Sequence, residues 1–100
     1  MTDEQLFELL VKYQAEGEFR NQLIQPGSFY NKETGCRCPM THILIEESLL
    51  DINDMPNEDD INEMLPPLSN RFGNAYDQFG FVSVGINAYA TAMNERDNAK

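Results

Sequence analysis

The sequence predicts a mainly α-helical protein, a small single-domain bundle of four to five helices with one short β-hairpin or ordered loop near residues 28–38. Three observations lead to this prediction. Apolar residues recur at helical spacing over most of the chain, capping residues and prolines mark helix starts, and only one stretch lacks a helical period. With 100 residues, of which 41% are hydrophobic, the chain is long enough to bury one core. We expect a single acidic helical domain over residues 1–94 and a frayed tail over residues 95–100.

The first helix carries the clearest start signal. Thr2 followed by Gln5 is a capping-box pattern, in which the hydroxyl and the side-chain amide satisfy backbone N–H groups that have no helical partner. Gly17 is a typical residue for the end of a helix. The apolar face of this helix consists of Leu6, Leu9, Leu10 and Tyr13.

The following residues change from helical to irregular character. A second short helix is predicted over residues 18–25, with Phe19 and Leu23 facing inward, and Pro26 and Gly27 end it. Residues 28–38 show no helical period, which favours the hairpin or ordered loop.

A central helix is predicted over residues 40–50. Pro39 suits the first turn of a helix, because the N–H that proline lacks would be unpaired there. Apolar residues cover most of the circumference of this helix, and such helices are usually surrounded by others.

Two more helical segments complete the chain. Asn57 is a capping residue for a helix that Pro66 and Pro67 interrupt, and Gly73 is predicted to close this segment. The last helix is predicted over residues 81–93. Its small residues would let a neighbouring helix approach closely: Gly85, Ala88 and Ala92.

The charge of the chain restricts its partners. Seventeen acidic residues against seven basic ones give a net charge of −10. This charge repels nucleic acid and anionic membranes, so we expect no direct binding of either and expect basic protein surfaces as partners. The chain also lacks an apolar run of membrane-spanning length, its first residues are acidic, and two cysteines make no disulfide framework. These features predict a cytoplasmic protein.

The acidic residues are unevenly distributed. Between Arg37 and Arg71 lie 33 residues without any lysine or arginine. This stretch contains eight carboxylates: Glu46, Glu47, Asp51, Asp54, Glu58, Asp59, Asp60 and Glu63. One interpretation is a docking face for a basic protein surface, which could itself normally hold nucleic acid phosphates. The alternative is a solvated face, with some acids placed by the dipole at a helix start.

Cys36, Cys38 and His42 form a second candidate site. Two thiolates and an imidazole could bind zinc with one further ligand, although Cys-x-Cys is not the usual spacing for zinc. Cys38 near a helix N-terminus could also have a lowered pKa and act as a nucleophile beside His42. The simplest interpretation is that the cysteines are buried structural residues, and no cofactor or metal is expected.

Residues 35–44, Gly-Cys-Arg-Cys-Pro-Met-Thr-His-Ile-Leu, resemble a motif of small uncharacterised phage and bacterial proteins. In those proteins a Cys-Cys-Leu-Gly-Val-Leu-Cys run starts a central helix after a short hairpin. Two later pieces, over residues 65–73 and 76–86, are similar in order to their Leu-Pro and Asn-Asp-x-Gly-x-x-Phe-x-x-Ile segments. Here the Gly-Val pair is replaced by Thr41 and His42, and the third cysteine is absent. The resemblance implies an α-rich domain in a phage or mobile-element setting and brings no known activity or site residues.

The leading hypothesis from the sequence is a non-enzymatic acidic binding protein, an inhibitor or modulator that docks on a basic protein surface. Its most specific form is a phage-encoded nucleic acid mimic. Two alternatives remain open: a metal- or thiol-dependent protein that uses Cys36, Cys38 and His42, and a structural subunit of a larger assembly.

Overall fold

The computed structural model describes residues 1–99 and confirms the mainly helical prediction. Its five α-helices are α1 (Asp3–Ala15), α2 (Pro39–Glu46), α3 (Glu58–Met64), α4 (Ser69–Phe79) and α5 (Val82–Asn98). A single 3-10 turn, Glu18–Arg20, follows α1. The radius of gyration of 12.9 Å matches the roughly 13 Å of a single domain of this length.

Helix α1 begins as the sequence predicts. Thr2 Oγ1 accepts a hydrogen bond from the Gln5 N–H at 3.1 Å, and Gln5 Oε1 accepts one from the Thr2 N–H at 2.9 Å. Leu6 and Leu10 are fully buried, at 0% exposure, so the predicted apolar face packs against the core. Local capping and core packing therefore agree in fixing α1.

Helix α2 is central but shorter than predicted. Its first six residues are all buried, which confirms the inference from its apolar circumference. The helix ends at Glu46 because Ser48 adopts a left-handed conformation with φ 61°. The chain then folds back, and the N–H groups of Leu49 and Leu50 both donate to Leu44 O, at 2.8 and 3.1 Å.

Residues 18–38 form an ordered loop held by isolated bridges. The predicted helix over residues 18–25 is wrong beyond its first turn, because the chain extends to pair with a distant segment. Leu23 O accepts from the Arg37 N–H at 2.8 Å, and the Gln25 N–H donates to Arg37 O at 2.9 Å. Arg37 also pairs with Tyr30 in an antiparallel bridge.

Helices α4 and α5 form a hairpin joined at Gly80, which has a left-handed φ of 76°. A Cβ atom at Gly85 would lie 2.7 Å from two atoms of the Phe72 ring, so only glycine fits this close approach of the two helices. The prediction that Gly73 closes a segment is wrong. Gly73 lies inside α4, where its missing side chain leaves room for Met40.

Helix α5 continues to Asn98, beyond the predicted end at residue 93, so residues 95–98 of the predicted frayed tail are helical. The reason is an ionic anchor. The Arg96 guanidinium lies 3.5 Å from Asp3 Oδ2 and also pairs with Glu4 and Asp97. Residue 100 lies outside the described residues.

Candidate functional site

The acidic segment, residues 46–63, presents all eight predicted carboxylates to solvent. Helix α3 positions half of them. The Asn57 side chain accepts from the Asp60 N–H at 2.9 Å and caps the helix, while Ile61 is fully buried and fixes which side faces the core. Glu58, Asp59 and Asp60 therefore lie in the first turn, at the positive end of the helix dipole.

Three of the eight carboxylates have partners within residues 1–99. Asp51 Oδ1 accepts a hydrogen bond from the Asn53 N–H at 2.9 Å. Glu47 accepts a hydrogen bond from the Tyr13 hydroxyl at 3.2 Å, and Glu46 lies 4.0 Å from His42 Nε2. Burial together with Glu47 raises the pKa of Tyr13 to about 12. Apart from Glu46, none of the eight carboxylates forms an ion pair with another described residue.

The structure spreads these carboxylates over a surface and does not gather them around one cavity. Glu47 lines a groove along α1 that also contains Lys12. Asp54 lines a second groove, beside Tyr30 and Lys32, and Glu58 borders a third. The arrangement suits contact with an extended surface better than enclosure of a small ligand.

The sulfur of Cys38 serves α2 itself. Cys38 is the N-cap residue of α2, and its Sγ accepts from the Thr41 N–H at 3.4 Å and lies 3.3 Å from Thr41 Oγ1. Burial raises the pKa of the Cys38 thiol, and this effect exceeds the opposing hydrogen bonds. This burial disfavours the alternative of a Cys38 thiol activated by the helix N-terminus.

The His42 side chain packs among aromatic rings. It is 3% exposed and packs edge-on against Tyr13 and Phe19, with ring centroids 6.2 and 6.3 Å away. Its Nε2 lies 3.5 Å from Glu18 Oε2. Within residues 1–99, no group of three or more histidine, cysteine or acidic residues is arranged to hold a metal ion. The structure thus does not assemble Cys36, Cys38 and His42 into a site.

Two buried charged residues were not recognised as important from the sequence. Asp3 is 6% exposed, and its Oδ1 accepts from the Tyr89 hydroxyl at 2.7 Å and the Leu68 N–H at 3.1 Å. Arg37, noted only as a boundary of the base-free stretch, is 8% exposed. The contacts of Asp3 have no local sequence signal, because Leu68 and Tyr89 are distant in the chain.

Comparisons with protein-family models, curated proteins and solved structures gave no match for this chain. The resemblance of residues 35–44 to small phage and bacterial proteins therefore stays a prediction. Among the described residues, no helix combines the length and the apolar character that a membrane crossing requires.

Proposed function

We propose that this protein is a non-enzymatic binding protein that docks on a basic protein surface through the acidic segment. The observation that carries this proposal is the set of eight exposed carboxylates within residues 46–63, seven of which have no ion-pair partner among residues 1–99. A partner can engage these seven charges without breaking an ion pair described in the fold. Binding then avoids the cost of separating charges that are already paired.

The net charge of −10 supports the same proposal over longer distances. Summed surface charge accelerates the encounter with an oppositely charged partner and repels like-charged ones. A protein surface that normally holds nucleic acid phosphates is a partner of the required sign. In its most specific form, the protein competes with nucleic acid for such a surface and acts as an inhibitor.

The rigidity of α3 also favours binding. The Asn57 cap and the buried Ile61 fix the helix, so the carboxylates of its first turn are presented with their backbone already ordered. An ordered surface loses less conformational entropy when a partner binds.

Capture from host extract on the immobilised protein, followed by mass spectrometry, tests the proposal. We expect to capture a basic, nucleic-acid-binding protein that is retained at about 0.05 M salt and released at about 0.5 M. The release is expected because salt screens the attraction between opposite charges. Nucleic acid added in excess should displace it.

A matched pair of variants distinguishes docking through the acidic segment from an effect of net charge alone. D59K/D60K reverses two charges on α3, and E33K/E95K makes the same change at two exposed acids outside the segment. The first variant should weaken capture of the partner at least about tenfold, and the second should weaken it little. Equal losses, or a partner that resists high salt, would contradict a docking role for the segment.

A further inference from the structure

The acidic segment is not uniformly polar. Leu49 and Ile52 lie among its carboxylates, and these two residues are 50% and 43% exposed. Leu50, between them, is buried, at 8% exposure. A protein-binding surface typically combines an apolar centre with a polar rim, and the rim excludes water from the central contact. The segment therefore has the composition of a binding surface.

The exposure of Leu49 follows from the turn after α2. Ser48 adopts a left-handed conformation with φ 61°, which is unfavourable for a residue other than glycine. The N–H groups of Leu49 and Leu50 donate to the same acceptor, Leu44 O, yet only Leu50 enters the core. Unfavourable backbone conformations of this kind are concentrated at functional sites. Here one holds an aliphatic side chain half in solvent.

Leu49 lines a groove of about 600 Å³ along α1. The wall that α1 contributes runs from Gln5 to Lys12, which is about 10 Å or two helical turns. A groove of this length fits two turns of a second helix. Its lining combines three apolar side chains with three charged ones: Met1, Leu9, Leu49, Glu8, Lys12 and Glu47.

The charges beside the groove select its occupant. The lining itself is mixed in sign, but Glu47 belongs both to the groove and to the acidic segment, so an occupant lies next to the carboxylates of that segment. A second copy of this chain would bring two charges of −10 together, and an anionic membrane would be repelled in the same way. A positively charged occupant is attracted instead.

We infer that the groove holds a basic amphipathic helix of the partner protein. The apolar face of that helix packs on Leu9 and Leu49, and its lysine and arginine side chains reach the acidic segment. Amphipathic helices bind hydrophobic grooves in this way, with anchoring side chains at every third or fourth position. The inference rests on the function proposed above and adds an apolar contact to the attraction between opposite charges.

Two synthetic lysine-rich peptides of equal length and charge test the inference on the full chain. In one, leucines recur at helical spacing; in the other, alanines replace the leucines, which preserves helix propensity but removes the large apolar side chains. Binding is followed by nitrogen-15 NMR of the backbone amides at constant pH and about 0.05 M salt. We expect the leucine peptide to bind at least about tenfold more tightly and to shift the amides of Leu9 and Leu49.

The two peptides distinguish failure of the groove from failure of the docking role. Equal affinities would overturn the inference and leave docking through charge intact. If neither peptide bound at about 0.05 M salt, the proposed function would be contradicted together with the inference.

Substitutions locate the apolar contact. L49S removes the aliphatic side chain from the groove, and I52S makes a similar change at an exposed residue of the segment that lines a different groove. L49S should weaken binding of the leucine peptide about tenfold without affecting the alanine peptide, and I52S should change neither. Equal losses for the two variants, or no loss for L49S, would overturn the inference. If L49S loses its helical circular dichroism, the comparison of the two peptides on the wild type decides alone.

Discussion

Carboxylates occupy two opposite environments in this protein. Asp3 is 6% exposed and contacts Tyr89, Leu68 and Arg96, so it joins α1 to the start of α4 and to α5. The carboxylates of the acidic segment are exposed, and most have no ion-pair partner among residues 1–99. Burial and partners, and not the residue type, therefore decide whether an acid maintains the fold or remains available to another molecule.

The largest effect on stability is expected from D3A. The substitution leaves the Tyr89 hydroxyl and the Leu68 N–H without their acceptor and removes one ion pair of Arg96. It should lower the free energy of unfolding by about 3 kcal/mol, measured by urea denaturation. E33A, at an exposed acid, serves as the control. A loss below about 1 kcal/mol for D3A would contradict its structural role.

A smaller loss of stability is expected from G85A, which disturbs the contact between α4 and α5 without changing the charge of the protein. The added Cβ would lie 2.7 Å from the Phe72 ring and 3.1 Å from Phe72 O. The helices must separate, so stability should fall by about 2 kcal/mol in thermal or urea unfolding. G73A is the control, because its Cβ would meet only the flexible end of Met40 at 3.3 Å. If G73A were the more damaging change, the assignment of the close contact to α4 and α5 would be wrong.

High pH should affect the contact between the core and the acidic segment. The pKa of Tyr13 is raised from 10.0 to about 12 in the folded protein, mainly by burial and by Glu47. The contribution of the neutral hydroxyl to stability is complete below pH 10 and is lost as the pH rises towards 12. Y13F removes this titration, so its stability should fall by about 2 kcal/mol less than that of the wild type over this range. Identical pH profiles of the two proteins would exclude a contribution from Tyr13.

The smallest effect on stability is expected within the acidic segment itself. D59N/D60N weakens the favourable interaction with the α3 dipole but also relieves repulsion between neighbouring acids. These changes oppose each other, and the free energy of unfolding should change by less than about 0.5 kcal/mol in urea denaturation. A loss above about 1 kcal/mol would place these acids with Asp3 among the residues that maintain the fold.

Features that depend on residues close in sequence could be predicted. The capping box of Thr2 and Gln5, the Asn57 cap and the buried start of α2 all involve neighbours within a few positions. The small residue Gly85 also marked the side of the last helix that a neighbour approaches. Periodicity and capping describe such features directly, because the interacting groups lie within one or two helical turns.

Features that depend on distant partners could not be predicted. The pairing of residues 23–25 with Arg37 replaces the predicted helix over residues 18–25, and Arg96 extends α5 by pairing with Asp3. The alternative site of Cys36, Cys38 and His42 is not assembled among the described residues for a similar reason. Their spacing in the sequence predicts that Cys38 and His42 lie one helical turn apart. In the structure Cys38 Sγ contacts Thr41, whereas the His42 ring packs against Tyr13 and Phe19.

The contact between Asp3 and Tyr89 joins residues 86 positions apart and has a consequence for synthesis. On the ribosome, Asp3 emerges from the exit tunnel long before Tyr89 has been added to the nascent chain. During this interval α1 depends on its capping box, whose two residues are only three positions apart. The local cap thus stabilises the first helix during translation, and the buried acid fixes it in place only when the last helix has left the ribosome.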